Sequence, residues 1–261
     1  MRALDIGATG MLAQQMHVEV TANNLANMTT TGFKQRSPAF VDLLYQTVDQ
    51  PGMPTSDAGT LSPSGMQLGL GVRPGAVYRL HEQGPVKRTE SEMDLALIGD
   101  GFFQIDLPDG RTAYTRDGTF QVNENGEMVT IQGHLLQPGI TVPDNAVNID
   151  INESGEVWVK IRGQAALQNL GQLELATFIN PPGLEAIGNN LLVETNASGT
   201  PTTGVPNEEN FARILQGALE QSNVNAVEEI TNLITAQRAY EMNSQVVSTA
   251  GEMMQTTSQL R

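Results

Sequence analysis

The sequence contains no cysteine in 261 residues. This absence excludes disulfide bonds, thiolate metal ligands and cysteine nucleophiles, and it fits either an oxidising or a reducing compartment. Aromatic residues make up only 5% of the chain and hydrophobic residues 39%, which is lean for a globular enzyme. No apolar run reaches the length of a membrane-spanning helix, and the N-terminus lacks the apolar core of a secretory signal peptide. These rules alone predict a cytoplasmic protein.

Residues that carry catalysis are also scarce. The histidines His17, His81 and His134 do not stand at metal-ligand spacing from one another, so we interpret each as a structural residue. The chain has no Gly-x-Ser-x-Gly motif, and Gly99–Gly101 lacks the third glycine of a dinucleotide-binding loop. We therefore expect no enzymatic activity and no cofactor. The rival hypothesis, an enzyme with an acidic β-region site, would need a pocket with perturbed carboxylates.

One acidic stretch partly matches a calcium-binding loop. Asp150, Asn152, Ser154 and Gly155 have the spacing of the first half of an EF-hand. The twelfth position is Ile161, where the ion needs a bidentate glutamate, and the flanking residues alternate as strands do. The sequence therefore predicts a turn and no metal site.

Charge is distributed unevenly. The formal net charge is −15, but the first 45 residues are balanced and the last forty carry only two excess acidic groups. The excess lies in the middle of the chain. Near-neutral ends can pack against copies of themselves, whereas the acidic middle argues against nucleic acid or an anionic membrane as a partner.

The stretch Ser222–Leu260 has the spacing of a long helix. Asn225 is placed to cap its start, with Glu228 three residues later as in a capping box. Seam residues recur at intervals of four and three, which is typical of a heptad repeat that packs against a partner helix. The seam consists of Ala226, Ile230, Leu233, Gln237, Tyr240, Ser244, Val247, Gly251 and Met254. A second row alongside it consists of Ala236, Ala239, Asn243, Val246, Ala250 and Met253.

The N-terminal stretch repeats this pattern. We expect a helix from about residue 3 to Met28, ending before Gly32. Its seam consists of Leu4, Ala8, Met11, Gln15, Val18, Ala22 and Leu25. The amides of Asn23, Asn24 and Asn27 disfavour the helix unless they are solvated or bond to neighbouring helices, and the sequence leaves both open. Heptads at both ends favour a stalk or a polymer lattice, and core helices of a single domain are the alternative.

The central residues predict antiparallel β structure. Strands separated by glycine turns are expected at 102–107, 111–115, 119–122 and 127–131, followed by a hairpin at 147–161 and strands at 170–179 and 191–194. We expect Phe33–Gln46 to be a short helix or an extended link. Glycine and proline predict little regular structure at 47–75, and 195–210 reads as a polar link.

Together these elements predict an α+β fold, in which two terminal helices form a coiled-coil-like core domain and the centre forms a small antiparallel barrel or sandwich. The expected domains are a helical core of 1–33 with 222–261, a connecting segment of 34–75 with 191–221, and a β domain of 76–190.

Three stretches resemble the signatures of flagellar rod and hook proteins. The first is Ala22–Asn27 with Thr31–Lys34, and the second is Gly99–Gln104 with Tyr114–Gly118 and Phe120. The third is Ser222–Asn225 with Glu228, Glu229 and Gln237–Asn243. They occur in the family's order, and the similarity extends over essentially the whole chain. Residues from about Tyr45 to Gly71 are similar to the region characteristic of distal rod subunits. Proximal rod or hook-type subunits are the alternative within the family, and a discrete coiled-coil stalk is the alternative outside it.

The resemblance implies a structural subunit that is exported by the flagellar type III apparatus without a cleaved signal, which replaces the cytoplasmic prediction. Subunits would assemble as a rigid tubular helical polymer that spans the periplasm and transmits torque to the hook. The terminal helices would line its interior and the β domain its outside, with 47–75 packed between subunits.

The implied partners are further copies of the chain, proximal rod proteins and hook protein at the two ends, and a surrounding bushing of peptidoglycan and outer-membrane rings. No nucleic acid and no membrane insertion are expected. The predicted subunit interface consists of Leu4, Met11, Val18, Asn23, Asn24, Leu25, Asn27, Ile230, Leu233, Gln237, Tyr240, Asn243, Val247 and Met254.

Overall fold

The computed structural model describes residues 2–50, 64–164 and 166–259. The chain divides into two compact units. The helical unit comprises Met1–Leu25, Arg36–Tyr78 and Asn225–Arg261, and the β unit comprises Ala26–Gln35 and Arg79–Val224. Each unit therefore combines segments that are distant in the sequence.

The helical unit contains the two long terminal helices. Helix α1 spans Arg2–Ala26 and helix α2 spans Ala226–Gln259. Asn225 accepts a hydrogen bond at Oδ1 from the main-chain N–H of Val227 at 3.1 Å, so the predicted N-cap is confirmed. Helix α1 ends two residues before the predicted Met28, and the chain then turns, with the N–H of Thr30 donating to the carbonyl of Asn27.

Helices α1 and α2 pack antiparallel and close together. Asn24, near the end of α1, contacts Glu229, near the start of α2. Further along the pair, a Cβ added to Gly10 would lie 2.8 Å from Nδ2 of Asn243, so a larger residue there would require the Asn243 side chain to move. The buried positions of the two helices are mostly small side chains, namely Gly7, Ala13, Val20, Thr21 and Asn24 on α1 and Glu229, Ala236 and Ala250 on α2.

Four strands complete the described part of the helical unit. They are β1 (Arg36–Asp42), β2 (Tyr45–Asp49), β3 (Met66–Gly69) and β4 (Val72–Arg79). Strand β1 pairs with β4, and β2 pairs antiparallel with β3, with Tyr45 opposite Gly69. The segment after Phe33 is therefore extended, which selects one of the two predicted alternatives.

The expectation of little regular structure at 47–75 was wrong for its described ends. Glycine and proline are tolerated there because β2, β3 and β4 lie in two-stranded sheets with exposed backbone edges. Residues 51–63, the centre of this predicted segment, lie outside the described part of the chain.

The β unit contains sixteen described strands. The first eight are β5 (Val86–Arg88), β6 (Leu95–Ile98), β7 (Phe102–Asp106), β8 (Thr112–Thr115), β9 (Phe120–Val122), β10 (Met128–Thr130), β11 (Leu135–Leu136) and β12 (Ala146–Ile151). The others are β13 (Glu156–Ile161), β14 (Leu167–Gln172), β15 (Leu175–Thr177), β16 (Glu185–Gly188), β17 (Leu191–Val193), β18 (Thr202–Gly204), β19 (Arg213–Gln216) and β20 (Ala218–Glu220). A 3-10 turn, Pro181–Gly183, precedes β16.

Nine of these strands form one antiparallel sheet. Its order is β16-β17-β8-β7-β11-β10-β9, and β15 pairs with both β7 and β18. A second sheet has the order β12-β13-β14, and β6 pairs with β19 and β5 with β20. Among the described residues the long sheet runs from β16 to β9 without closing into a barrel.

The core of the β unit lies between these sheets. Leu95, Leu97, Phe103 and Ile105 are fully buried there, and the rings of Phe103 and Phe120 meet edge to face with centroids 5.1 Å apart. A fully buried side chain of this size contributes about 1.5–3 kcal/mol to folding. The β unit therefore has its own hydrophobic core.

The predicted α+β class is confirmed, with helices at the chain ends and antiparallel strands between them. The turn at Asn152 is also confirmed, because its Oδ1 accepts hydrogen bonds from the main-chain N–H groups of Ser154 and Glu156. The single strand predicted at 170–179 is broken into β14 and β15, since the N–H of Leu173 turns inward to the carbonyl of Gly155. The polar link predicted at 195–210 contains β18, which pairs with β15.

Candidate assembly surface

The large residues of the predicted seams are half-buried or exposed, and none is fully buried. On α1, Leu4, Met11, Val18 and Leu25 are half-buried. On α2, Leu233, Asn243 and Val247 are half-buried, whereas Ile230, Gln237, Tyr240 and Met254 are exposed. Apart from Val247, which lies close to Gly7, the larger apolar side chains of the two helices therefore keep exposed surface that other molecules can cover.

Further apolar side chains are exposed on the same two helices. Leu12 is 64% exposed on α1, and Val227 and Met242 are 75% and 65% exposed on α2. At about 25 cal/mol per Å², burying several such side chains would contribute several kcal/mol to association. Exposed apolar area on this scale is typical of an interaction surface.

One groove brings three predicted interface residues together. Val18 on α1 and Gln237 and Tyr240 on α2 line a groove of about 360 Å³, whose lining also includes Glu19 and Glu241. Because the walls belong to both helices of the antiparallel pair, the groove depends on their packing. The lining is mostly apolar and includes two carboxylates, so the groove can accept a side chain with an apolar body and a polar end.

The three predicted amide residues have different environments. Asn24 is buried: its Nδ2 donates to the carbonyl of Arg36 at 2.8 Å and to Oε2 of Glu229 at 3.2 Å, and its Oδ1 accepts from the N–H of Arg36 at 2.9 Å. Asn23 is exposed on α1. Asn27 is half-buried beyond the end of α1 and accepts from the hydroxyl of Thr30. Asn24 therefore serves the fold of its own subunit.

The β unit contains a buried ionic cluster that our sequence analysis missed. The carboxylate of Glu220 is completely buried and pairs with Nζ of Lys34 at 2.6 Å and with a guanidinium nitrogen of Arg116 at 3.3 Å. Its Oε1 also accepts the N–H of Gly84 at 2.9 Å. We call Lys34, Arg116, Glu220 and the neighbouring Asn223 the Glu220 clamp.

Asn223 extends this cluster along the main chain. Its Oδ1 accepts from the N–H of Gln35 at 2.7 Å, and its Nδ2 donates to the carbonyls of Leu80 at 3.1 Å and Glu82 at 3.2 Å. The N–H of Leu80 donates in turn to the carbonyl of Gln35 at 2.9 Å. Three segments that are far apart in the sequence therefore meet at one amide side chain.

The cluster compensates its buried charge with hydrogen bonds. Burial lowers the pKa of Lys34 and of Arg116, and the Glu220 carboxylate opposes both shifts. Lys34 also donates to the carbonyl of Glu82, and Arg116 donates to that of Gly99. Removing one partner from such a buried pair is strongly destabilising, because the other charge loses its compensation.

Gly32 is required where the first segment reaches this cluster. Its φ is +67°, and an added Cβ would lie 2.8 Å from the carbonyl carbon of Arg116. Its N–H donates to the main-chain carbonyl of Glu220 at 2.8 Å. The sequence did mark these residues, because Lys34, Arg116 and Asn223 each lie in one of the three signature stretches. It did not show that they are close together in the fold, because the pairing of Lys34 with Glu220 spans 186 residues and leaves no local pattern.

Residues 2–50, 64–164 and 166–259 contain no group of three or more histidine or acidic side chains positioned to hold a metal ion. Within the same residues, no helix is both long and apolar enough to cross a membrane.

Three family models match the chain. A flagella basal body rod protein model matches residues 4–34, a flagellar hook protein FlgE/F/G D1 domain model matches 96–159, and a flagellar basal body rod FlgEFG protein C-terminal model matches 215–260. The matches fall on both terminal helices and on the β unit. They define the class of the chain as an axial protein of the flagellar rod and hook.

Full-length relatives narrow this class. The chain is 55% identical over its whole length to the flagellar basal-body rod protein FlgG of Caulobacter vibrioides, which is also covered completely. It is 48% identical to FlgG of Agrobacterium fabrum, over 99% of this chain and 98% of the relative, and 35% identical to FlgG of Bacillus subtilis, over 100% and 99%. The chain belongs to the flagellar basal-body rod protein FlgG family. It is a structural subunit of the flagellar distal rod.

Proposed function

We propose that the chain assembles with copies of itself into a rigid tubular helical drive shaft that transmits torque to the hook. The exposed apolar surface of α1 and α2 carries this proposal. Two helices that meet through alanine and glycine, and keep Tyr240, Leu12 and Met242 on the outside, favour burial against neighbouring subunits. An open helical polymer requires such non-identical patches on each subunit.

The proposed arrangement places the terminal helices in the inner layer, as a coiled-coil-like core, and the β domain in the outer layer. Within it, 1–33 with 222–261 form the inner domain, 34–75 with 191–221 the connecting segment, and 76–190 the outer domain. The apolar groove at Val18 and Tyr240 supports the inner placement. The excess negative charge between the terminal segments suits an outer layer in contact with water.

The proposed partners follow from this position in the flagellum. Proximal rod proteins and the hook protein would bind the two ends of the shaft. Peptidoglycan and outer-membrane rings would surround it as a bushing while it turns in the periplasm. Export would use the type III apparatus without a cleaved signal. Terminal helices that are partly unfolded before assembly would pass more easily through a narrow export channel. No catalytic activity belongs to this role.

The proposal is tested by the concentration dependence of the purified chain. We expect sedimentation velocity to show a monomer at low concentration and open-ended assemblies at high concentration. Circular dichroism should show an increase of helix signal with assembly, and electron microscopy should show tubes. A discrete oligomer of constant size and constant helicity would contradict the polymer and favour a closed coiled-coil stalk.

A further inference from the structure

The chain passes between its two units four times. The crossings lie at Leu25/Ala26, Gln35/Arg36, Tyr78/Arg79 and Val224/Asn225. Any force that the helical unit exerts on the β unit of the same subunit through the covalent chain must pass through these four connections. The way in which the β unit holds their ends therefore determines how much force it tolerates.

Three of the four crossings are held together at Asn223. Gln35 is the last residue of the β unit before the second crossing, and its N–H donates to Oδ1 of Asn223. Leu80 follows the third crossing by one residue, and its carbonyl accepts from Nδ2. Asn223 itself is one residue from the fourth crossing. The N–H of Leu80 also bonds to the carbonyl of Gln35, so the three ends are linked pairwise.

The ionic part of the clamp holds the segment Ala26–Gln35, which connects the first crossing to the second. This segment contributes Lys34, whose side chain is only 5% exposed and pairs with Glu220. The N–H of Gly32 donates to the carbonyl of the same glutamate. Arg116 joins Glu220 to the loop after β8, which belongs to the nine-stranded sheet.

We propose that Glu220 and Asn223 are positioning residues that fasten the β-unit ends of the second, third and fourth crossings, together with the segment between the first two crossings, so that torque reaches the β unit through several bonds loaded together. This inference rests on the proposed function as a drive shaft. Separately held crossings would let force open the short pairings of β5 with β20 and of β6 with β19 one bond at a time. Fastened together, the crossings share the force, and local opening requires several buried bonds to break at once.

The first measurement uses the purified full-length chain and trypsin. Cleavage after Lys34 requires the clamp to open, because Lys34 is buried. Asn223→Ala removes one acceptor and two donated bonds, so we expect cleavage after Lys34 to become about tenfold faster, which corresponds to the loss of roughly 1–2 kcal/mol of local stability. Glu220→Gln should have a larger effect, since it leaves two buried cations with one neutral partner. Asn125→Ala, the same substitution in an exposed turn, is the matched control and should leave the rate unchanged.

The second measurement replaces the chromosomal gene with each variant and follows swimming speed as the viscosity of the medium is raised. We expect Asn223→Ala cells to build rods and swim normally in dilute medium, and to lose speed at a lower viscosity than Asn125→Ala cells. Equal speed at every viscosity, together with faster tryptic cleavage, would overturn the inference. So would the absence of rods with both clamp variants when the control builds them, since the cluster would then serve assembly alone.

Failure of the drive-shaft proposal has a different signature. Wild-type chains that build no rods and support no swimming would contradict the proposed function and, with it, the role in load transfer. Slow cells with normal rods and an unchanged cleavage rate would overturn the clamp mechanism alone. Electron microscopy of isolated basal bodies separates these outcomes, because it counts rods independently of motility.

Discussion

Asn24 and Glu229 are hydrogen-bonded to each other although 205 residues of sequence separate them, with Nδ2 to Oε2 at 3.2 Å. Asn24 is 1% exposed and Glu229 is 2% exposed. The bond joins the end of α1 to the first turn of α2, where a carboxylate is also favoured by the helix dipole. It thereby fixes which turns of the two antiparallel helices stand opposite each other.

Replacing Asn24 should loosen the helix pair. Asn24→Ala removes its bonds to Arg36 and leaves Glu229 with one fewer donor in a buried site, which costs about 1–3 kcal/mol. We expect a lower melting temperature of the helix signal in circular dichroism. Asn23→Ala is the comparison, because that residue is exposed on the same helix and should give a smaller decrease. Equal decreases for the two variants would argue against the special role of the buried amide.

Two glycines in the helices are expected to respond in opposite directions. A Cβ on Gly7 would lie 2.8 Å from Cγ2 of Val247, so Gly7→Leu should push α1 and α2 apart and destabilise the helical unit by about 1–3 kcal/mol. A Cβ on Gly251 meets nothing within 4 Å among the described residues, so Gly251→Ala should stabilise α2 by roughly 1 kcal/mol through helix propensity. Urea unfolding followed by the helix signal measures both changes. A stable Gly7→Leu variant would contradict the close packing.

Much of the fold was predictable because local sequence patterns indicate the helices, strands and turns. Heptad spacing and the Asn225 cap indicated α2. The hairpin predicted at 147–161 indicated β13, in which Val157, Val159 and Ile161 are buried. The short strands β5, β6, β19 and β20 were missed. They have three or four residues each, and their partners lie more than a hundred residues away, so neither period nor turn chemistry marks them.

The seams illustrate the limit of prediction at the candidate surface. Heptad spacing placed Leu4, Met11 and Val18 in the seam of α1. Gly7 and Gly10, which lie close to Val247 and Asn243 of α2, were not part of that seam. A pattern of large and small residues does not show which set packs within one subunit and which set contacts another subunit. That choice depends on how closely two backbones approach, which is a tertiary property.

An acidic residue in the groove should block assembly without unfolding the β unit. Tyr240 is 45% exposed, so Tyr240→Asp is tolerated by the isolated subunit, but burial of the new carboxylate in a lattice would cost several kcal/mol. We expect the variant to remain monomeric in sedimentation velocity at concentrations where the wild type polymerises. Leu25→Asp should behave in the same way.

Trp158 in β13 provides the control for folding of the β unit. Its fluorescence should be the same in the wild type and in both aspartate variants. Normal tubes from either variant, with this signal intact, would exclude the α1–α2 surface as the site of polymer contact.

Acid should weaken the β unit through His81. Burial lowers the pKa of His81 to about 4, with smaller contributions from Lys34, Arg79 and Arg116, against which Asp100 acts. Between pH 6.5 and about 4 the unfolded chain binds a proton that the folded chain does not, so the free energy of unfolding falls as pH decreases through this window. The loss from this residue amounts to roughly 2–3 kcal/mol by pH 4.

His81→Phe isolates this contribution. The ring of His81 packs edge to face on Phe102 at 5.9 Å, and a phenyl ring retains that contact without titrating. Urea unfolding followed by Trp158 fluorescence should show a smaller loss of stability for the variant than for the wild type between pH 7 and pH 4. Carboxylates elsewhere titrate in both proteins, so their effect cancels in the difference. Parallel pH profiles would mean that His81 is protonated equally in the folded and unfolded chains, and that its burial in the β unit does not disfavour the imidazolium.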